Sequence, residues 1–126
     1  MSTAVIITVS LKNSDSNPPK LKLKDSVGDS GDNQMNTNVE LGANVTWVPD
    51  LTSGIQSIEI VEKTGETSIF SSSPHSTGNG NYEGTIVSQK PTKGGKTIDS
   101  EDYSIIFTID GDSETYTDDP KLSIKN

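Results

Sequence analysis

The stretch Tyr103-Ser104-Ile105-Ile106-Phe107-Thr108-Ile109-Asp110-Gly111, followed by Ser113-Glu114-Thr115-Tyr116-Thr117, decides the fold. Tyr103, Ile105, Phe107 and Ile109 recur at the strand period of two. The Asp110-Gly111 step tolerates the positive φ of a tight turn, so the segment predicts a β-hairpin. Asp99 to Asp102, just before it, reads as the corner of a two-sheet sandwich, and the remaining apolar clusters fall into short alternating runs around it.

Composition supports that reading. The 126 residues suit one domain, 1–126, with a core that hides roughly two-thirds of the unfolded surface. Leu, Ile, Val and Phe number 6, 12, 8 and 2, little above the supply a charged chain needs to fold. Ile and Val greatly outnumber Leu, which favours strands. With only two alanines and no window of apolar residues at helical spacing, nothing is present from which to build a long helix.

Strand readings follow along the chain. Residues 4 to 11 form a first strand with Val5, Ile7, Val9 and Leu11 on one face and a second face apolar enough to be buried as well. After Pro18-Pro19, Lys20 to Lys24 alternates lysine with leucine, as on an edge strand defended against pairing. Asp25 to Thr37 reads as a long polar loop. Val39, Leu41, Val45 and Trp47 keep one parity through a bend at Gly42. Ile55 to Glu62 is a strand that turns at Lys63 to Glu66 into 67 to 71, giving a second hairpin. Residues 71 to 81 read as loop, Tyr82 to Gln89 as strand, and 90 to 96 as a lysine- and glycine-rich connection. Pro120 interrupts the last strand before Leu122 and Ile124 resume the alternation. The expectation is an all-β sandwich of seven to eight mostly antiparallel strands.

Charge excludes several partners. A net charge of −8 repels phosphate backbones, and all ten basic residues are lysines, so the planar fork of arginine is absent. Neither nucleic acid nor an anionic membrane is an expected partner. The longest apolar run, Ala4 to Val9, is far too short to cross a bilayer and lacks the basic flank of a secretory signal, so a cytoplasmic protein is expected. No cysteine is present for disulfide or thiolate chemistry.

Val45-Thr46-Trp47-Val48-Pro49 resembles the second strand of fibronectin type III modules, where a buried Trp precedes a Pro by two residues. Tyr103 with Ile105 and Phe107 resembles the tyrosine corner of that fold and of immunoglobulin-like domains. This implies an immunoglobulin-like sandwich in which the phenol bonds a backbone group a few residues upstream. Ile105 stands where an immunoglobulin domain carries cysteine, which implies a sandwich held by packing alone. The tail Tyr116 to Lys121 is similar to that of small bacterial β proteins of no assigned function.

The chemistry-bearing residues point away from catalysis. Gly28-Asp29-Ser30-Gly31-Asp32 has the look of a serine-protease nucleophile segment, but the sole histidine, His75, follows it, in the wrong order and on too short a chain. His75 has no second His or Cys with which to hold a metal. Asp25, Asp29 and Asp32 share one loop, and Asp110, Asp112 and Glu114 share a turn; the first set is the candidate Ca²⁺ site, although neither has EF-hand spacing. Asp118-Asp119 and Asp110-Asp112 are paired acids without the cleft a glycosidase needs. Asn44-Val45-Thr46 fits the glycosylation sequon but lies within an expected strand. Trp47, Tyr103 and Phe107 belong to the core, leaving Tyr82 and Tyr116 as candidate contacts for a carbohydrate ligand. No cofactor is expected. The reading is a non-enzymatic interaction or structural module that binds a protein partner or self-associates through strand edges. A carbohydrate-binding module and a calcium-stabilised adhesion-type domain are the alternatives.

Overall fold

A computed structural model describes residues 4–13, 20–26, 30–32, 36–63 and 67–124. In chain order the first seven strands are β1 (Ala4–Asn13), β2 (Lys20–Asp25), β3 (Ser30–Asp32), β4 (Asn36–Val39), β5 (Asn44–Pro49), β6 (Ile55–Glu62) and β7 (Phe70–Ser76). The remaining six are β8 (Tyr82–Ile86), β9 (Thr92–Lys93), β10 (Lys96–Thr97), β11 (Ser100–Ile109), β12 (Thr115–Asp118) and β13 (Lys121–Ile124). One turn of 3₁₀ helix, Leu51–Ser53, is capped by the Asp50 carboxylate, which accepts the Thr52 N–H at 3.1 Å. No α-helix occurs among the described residues, so the chain is all-β.

The expected hairpin is present. β11 and β12 pair antiparallel from Ile105↔Asp118 to Thr108↔Thr115 around a turn at 110–114. Tyr103, Ile105 and Phe107 are wholly buried, because period-two alternation puts them all on one face. β12 and β13 run in one continuous register along the same side of β11, broken at Pro120, whose carbonyl still accepts the Tyr103 N–H at 3.1 Å. β6 pairs with the other side of β11, and β4 completes this sheet by pairing with β13.

The second main sheet has the order β3-β2-β1-β5-β8-β7. Both main sheets are mixed: β1 with β5, and β13 with β4, are parallel pairs, whereas the other ladders are antiparallel. One core joins them, with Leu21, Leu23, Ile7, Val45, Trp47 and Ile86 from the six-stranded sheet meeting Ile58, Ile60, Tyr103, Ile105, Phe107 and Leu122 from the other. Among the described residues thirteen strands stand where seven or eight were expected, since bulges and turns cut long runs into pieces.

Several local expectations are corrected. β2 is no edge strand, because β3 covers Lys22 to Lys24. Residues 25 to 37 are not all loop, since the end of β2, β3 and part of β4 lie there. Val39 and Val45 belong to different sheets: the Leu41-Gly42 turn carries the chain from one layer to the other, leaving Leu41 exposed. β6 and β7 likewise belong to different sheets and form no hairpin; residues 64–66, where a turn was expected, lie outside the described residues. The polar stretch from 71 is strand, because β8 supplies the ladder that its serines would not nucleate alone. Only one face of β1 is buried, and Ile6 on the other is 47% exposed.

Candidate functional site

At the centre of the core, the Trp47 indole Nε1 donates a hydrogen bond to the Tyr103 hydroxyl at 3.1 Å. The rings meet edge to face with centroids 5.5 Å apart. Trp47 sits on β5 and Tyr103 on β11, so the contact spans the two sheets. The phenol therefore bonds an indole across the core, not the upstream backbone group that a tyrosine corner implies. Burial pushes the Tyr103 pKa well above its ordinary value; the Trp47 hydrogen bond opposes this and the Asp25 charge adds to it.

Four carboxylates lie at positions of inward parity. Asp25 follows Leu21 and Leu23, Glu62 follows Ile58 and Ile60, Glu101 precedes Tyr103, and Asp118 precedes Leu122. Asp25, Glu101 and Asp118 are 5, 2 and 4% exposed. Asp118 Oδ2 accepts the Leu21 N–H at 3.0 Å, and Glu101 Oε1 accepts the Ile69 N–H at 2.8 Å. These two bonds clip the sheets together on opposite flanks, one at β2 and one at the approach to β7. Each supplies a backbone N–H with a buried acceptor that its own ladder does not provide.

Glu62 closes the corner between β6 and β7. Its carboxylate accepts hydrogen bonds from Ser68 and from Ser73, the latter at 2.6 Å, and is hydrogen-bonded to Glu101. Burial pushes the Glu62 carboxyl up, but these hydrogen bonds outweigh it and hold it below its ordinary value. Sequence reasoning missed this pair, though inward parity marks each member as a residue to explain.

The expected ligand residues are dispersed. Asp29 and the side chain of Asp32 lie outside the described residues, and Asp25 turns into the core at the end of β2. No group of three metal-ligating side chains occurs among the described residues. Tyr82 on β8 and Tyr116 on β12 belong to different sheets, each half-buried against the core. The Tyr116 hydroxyl donates to Asp112 Oδ2 at 2.6 Å, which raises the Tyr116 pKa to about 12 and lowers that of Asp112. His75 is exposed on β7, its Nδ1 2.9 Å from the Ser73 carbonyl oxygen.

Among the described residues no pocket opens, and no helix is long and apolar enough to cross a membrane. What the surface of the described residues offers is strand edges and the exposed β9–β10 hairpin. β3 has three residues, β4 and β12 four each, and β7 carries Pro74 and two register shifts. β6 has eight residues and pairs only with β11 among the described residues. No protein-family model matches the chain, and comparison with curated proteins finds no match.

Proposed function

We propose that this chain is a non-enzymatic, immunoglobulin-like interaction or structural module that self-associates by adding a strand to the open edge of β6. The support for the immunoglobulin-like class is the Trp47 and Tyr103 pair, joining two stacked sheets at the positions where the resemblance falls. The observation that carries the function is β6 itself. Among the described residues it is the longest edge, unbroken from Ser57 to Glu62 beyond a bulge at Gln56, whereas the other edges are short or interrupted by proline. An edge of that kind presents a row of backbone donors and acceptors to another strand. Glu59 and Val61 point outward along it, and Val61 is 37% exposed. Tyr82 and Tyr116 make no common platform, so no specific observation favours carbohydrate recognition over this reading.

The test joins sedimentation with amide exchange. Over a concentration series the protein should associate reversibly, and exchange should slow at the outward amides of residues 55–62 as it does so. A monomer at every concentration, or slowing confined to other strands, overturns edge pairing.

A further inference from the structure

Among the described strands, β9 and β10 alone join neither main sheet. Residues 92–97 are all exposed, and Gly94 and Gly95, at φ 62° and 81°, form the tight two-residue turn that a hairpin of this hand requires. Lys93 and Lys96 stand directly opposite each other in the ladder. Like charges in that position repel, and neither lysine has an ion-pair partner among the described residues. No Asp or Glu occurs between Glu83 and Asp99, on a chain that carries 18 acids. Among the described residues no carboxylate offsets the two charges, and an anionic partner would.

We infer that the hairpin is a cationic arm that docks on the carboxylate-bearing end of a second copy of this chain. The complementary charge is on the chain itself. β11 begins just after the hairpin and ends ten residues on, roughly 30 Å away at about 3.3 Å per residue, at the turn holding Asp110, Asp112 and Glu114. The hairpin before the strand carries Lys93 and Lys96, although Asp99, Glu101 and Asp102 follow it at the start of β11, and the turn after the strand carries only acids. A contact between unlike surfaces either is made twice across a two-fold axis, giving a dimer, or runs head to tail into a ring or filament. Polyanions such as nucleic acid are the weaker fit, because the net charge of −8 repels them and there is no arginine to grip phosphate. This second contact deepens the proposed self-association and uses a surface distinct from β6.

A charge swap tests it. Variant one carries K93E and K96E; variant two carries D110K and E114K, leaving Asp112 to its hydrogen bonds. All four sites are exposed, so both variants should give the far-ultraviolet dichroism of the parent. Each alone should associate about tenfold or more weakly than the parent by sedimentation, and an equimolar mixture should regain association, because each hairpin then meets a turn of opposite charge. Amide exchange in the parent should slow at 92–97 and 110–114. If both variants associate as the parent does, or the mixture regains nothing, the arm is disproved. Slowing at 55–62 reads edge pairing separately in the same data, so either contact fails without the other. Binding of the parent, but not of variant one, to a short DNA duplex with no self-association would replace the second copy by a polyanion and overturn the inference.

Discussion

The indole of Trp47 and the phenol of Tyr103, 56 residues apart in sequence, are joined by a hydrogen bond inside the core, with neither side chain reaching solvent. The two sheets are thus held by a directional contact as well as by apolar packing. Tyr103→Phe keeps the ring and removes the acceptor, leaving a buried indole N–H without it. The expected loss is about 1–3 kcal/mol by urea unfolding. Trp47→Phe and the double variant complete a cycle whose coupling should exceed about 0.5 kcal/mol, and additivity would show that the bond contributes nothing.

Alkali should act through the same phenol. The Tyr103 pKa is raised in the fold by burial, so the folded state holds its proton more tightly than the unfolded chain does. This stabilisation is complete below the unfolded value of about 10 and is lost as pH climbs above it. Tyr116 adds to the loss between about 10 and its own value of about 12. Tyrosinate absorbance should show Tyr103 titrating only together with loss of the near-ultraviolet dichroism, and ionisation with tertiary structure intact would contradict its burial.

Thr37 offers a gain. Its hydroxyl is buried on β4 and has no hydrogen-bond partner among the described residues. Thr37→Val keeps the shape and removes the stranded polar atom, so stability should rise by about 1 kcal/mol. A fall in the unfolding midpoint would mean that the hydroxyl is satisfied.

Gly84 is confined by its neighbours. A Cβ there would come within 3.1 Å of the Phe70 ring, which itself packs on Trp47 with centroids 6.2 Å apart, and 3.3 Å from the Ser72 carbonyl oxygen. Gly84→Ala should therefore cost about 1–3 kcal/mol through overpacking. Thermal unfolding at unchanged midpoint would show that the ring yields freely.

Asp118 separates charge from hydrogen bonding. Asp118→Ala strands the Leu21 N–H and should cost about 1.5–3 kcal/mol, whereas Asp118→Asn keeps an acceptor and should recover much of that. Equal losses in the two variants would assign the effect to the carboxylate charge.

Much of the fold was legible wherever alternation coincided with a good turn: Tyr103 to Phe107, Ile58 to Glu62 and Tyr82 to Ile86 each lie where parity puts them, whereas a bulge at Gln56 puts Ile55 out of phase. The layer to which a strand belongs was not legible, since Val39 and Trp47 keep a common parity across Gly42 and still face the core from opposite sheets. β7 was hidden because Ser71 to Ser73 have no strand character of their own and depend on β8. The buried acids were readable in principle. Asp25, Glu101 and Asp118 all fall at inward positions, but acidic residues near strand ends are so often solvated that only the distant Leu21 and Ile69 amides reveal their purpose.

The parallel pairing of β4 with β13 sets the order in which the domain can be finished. Ser123 reaches back 87 residues to hydrogen-bond Asn36, so β4 stays without this partner until β13 has been made. Assembly must then be slow and concerted, with a bare early segment exposed to stray pairing throughout synthesis.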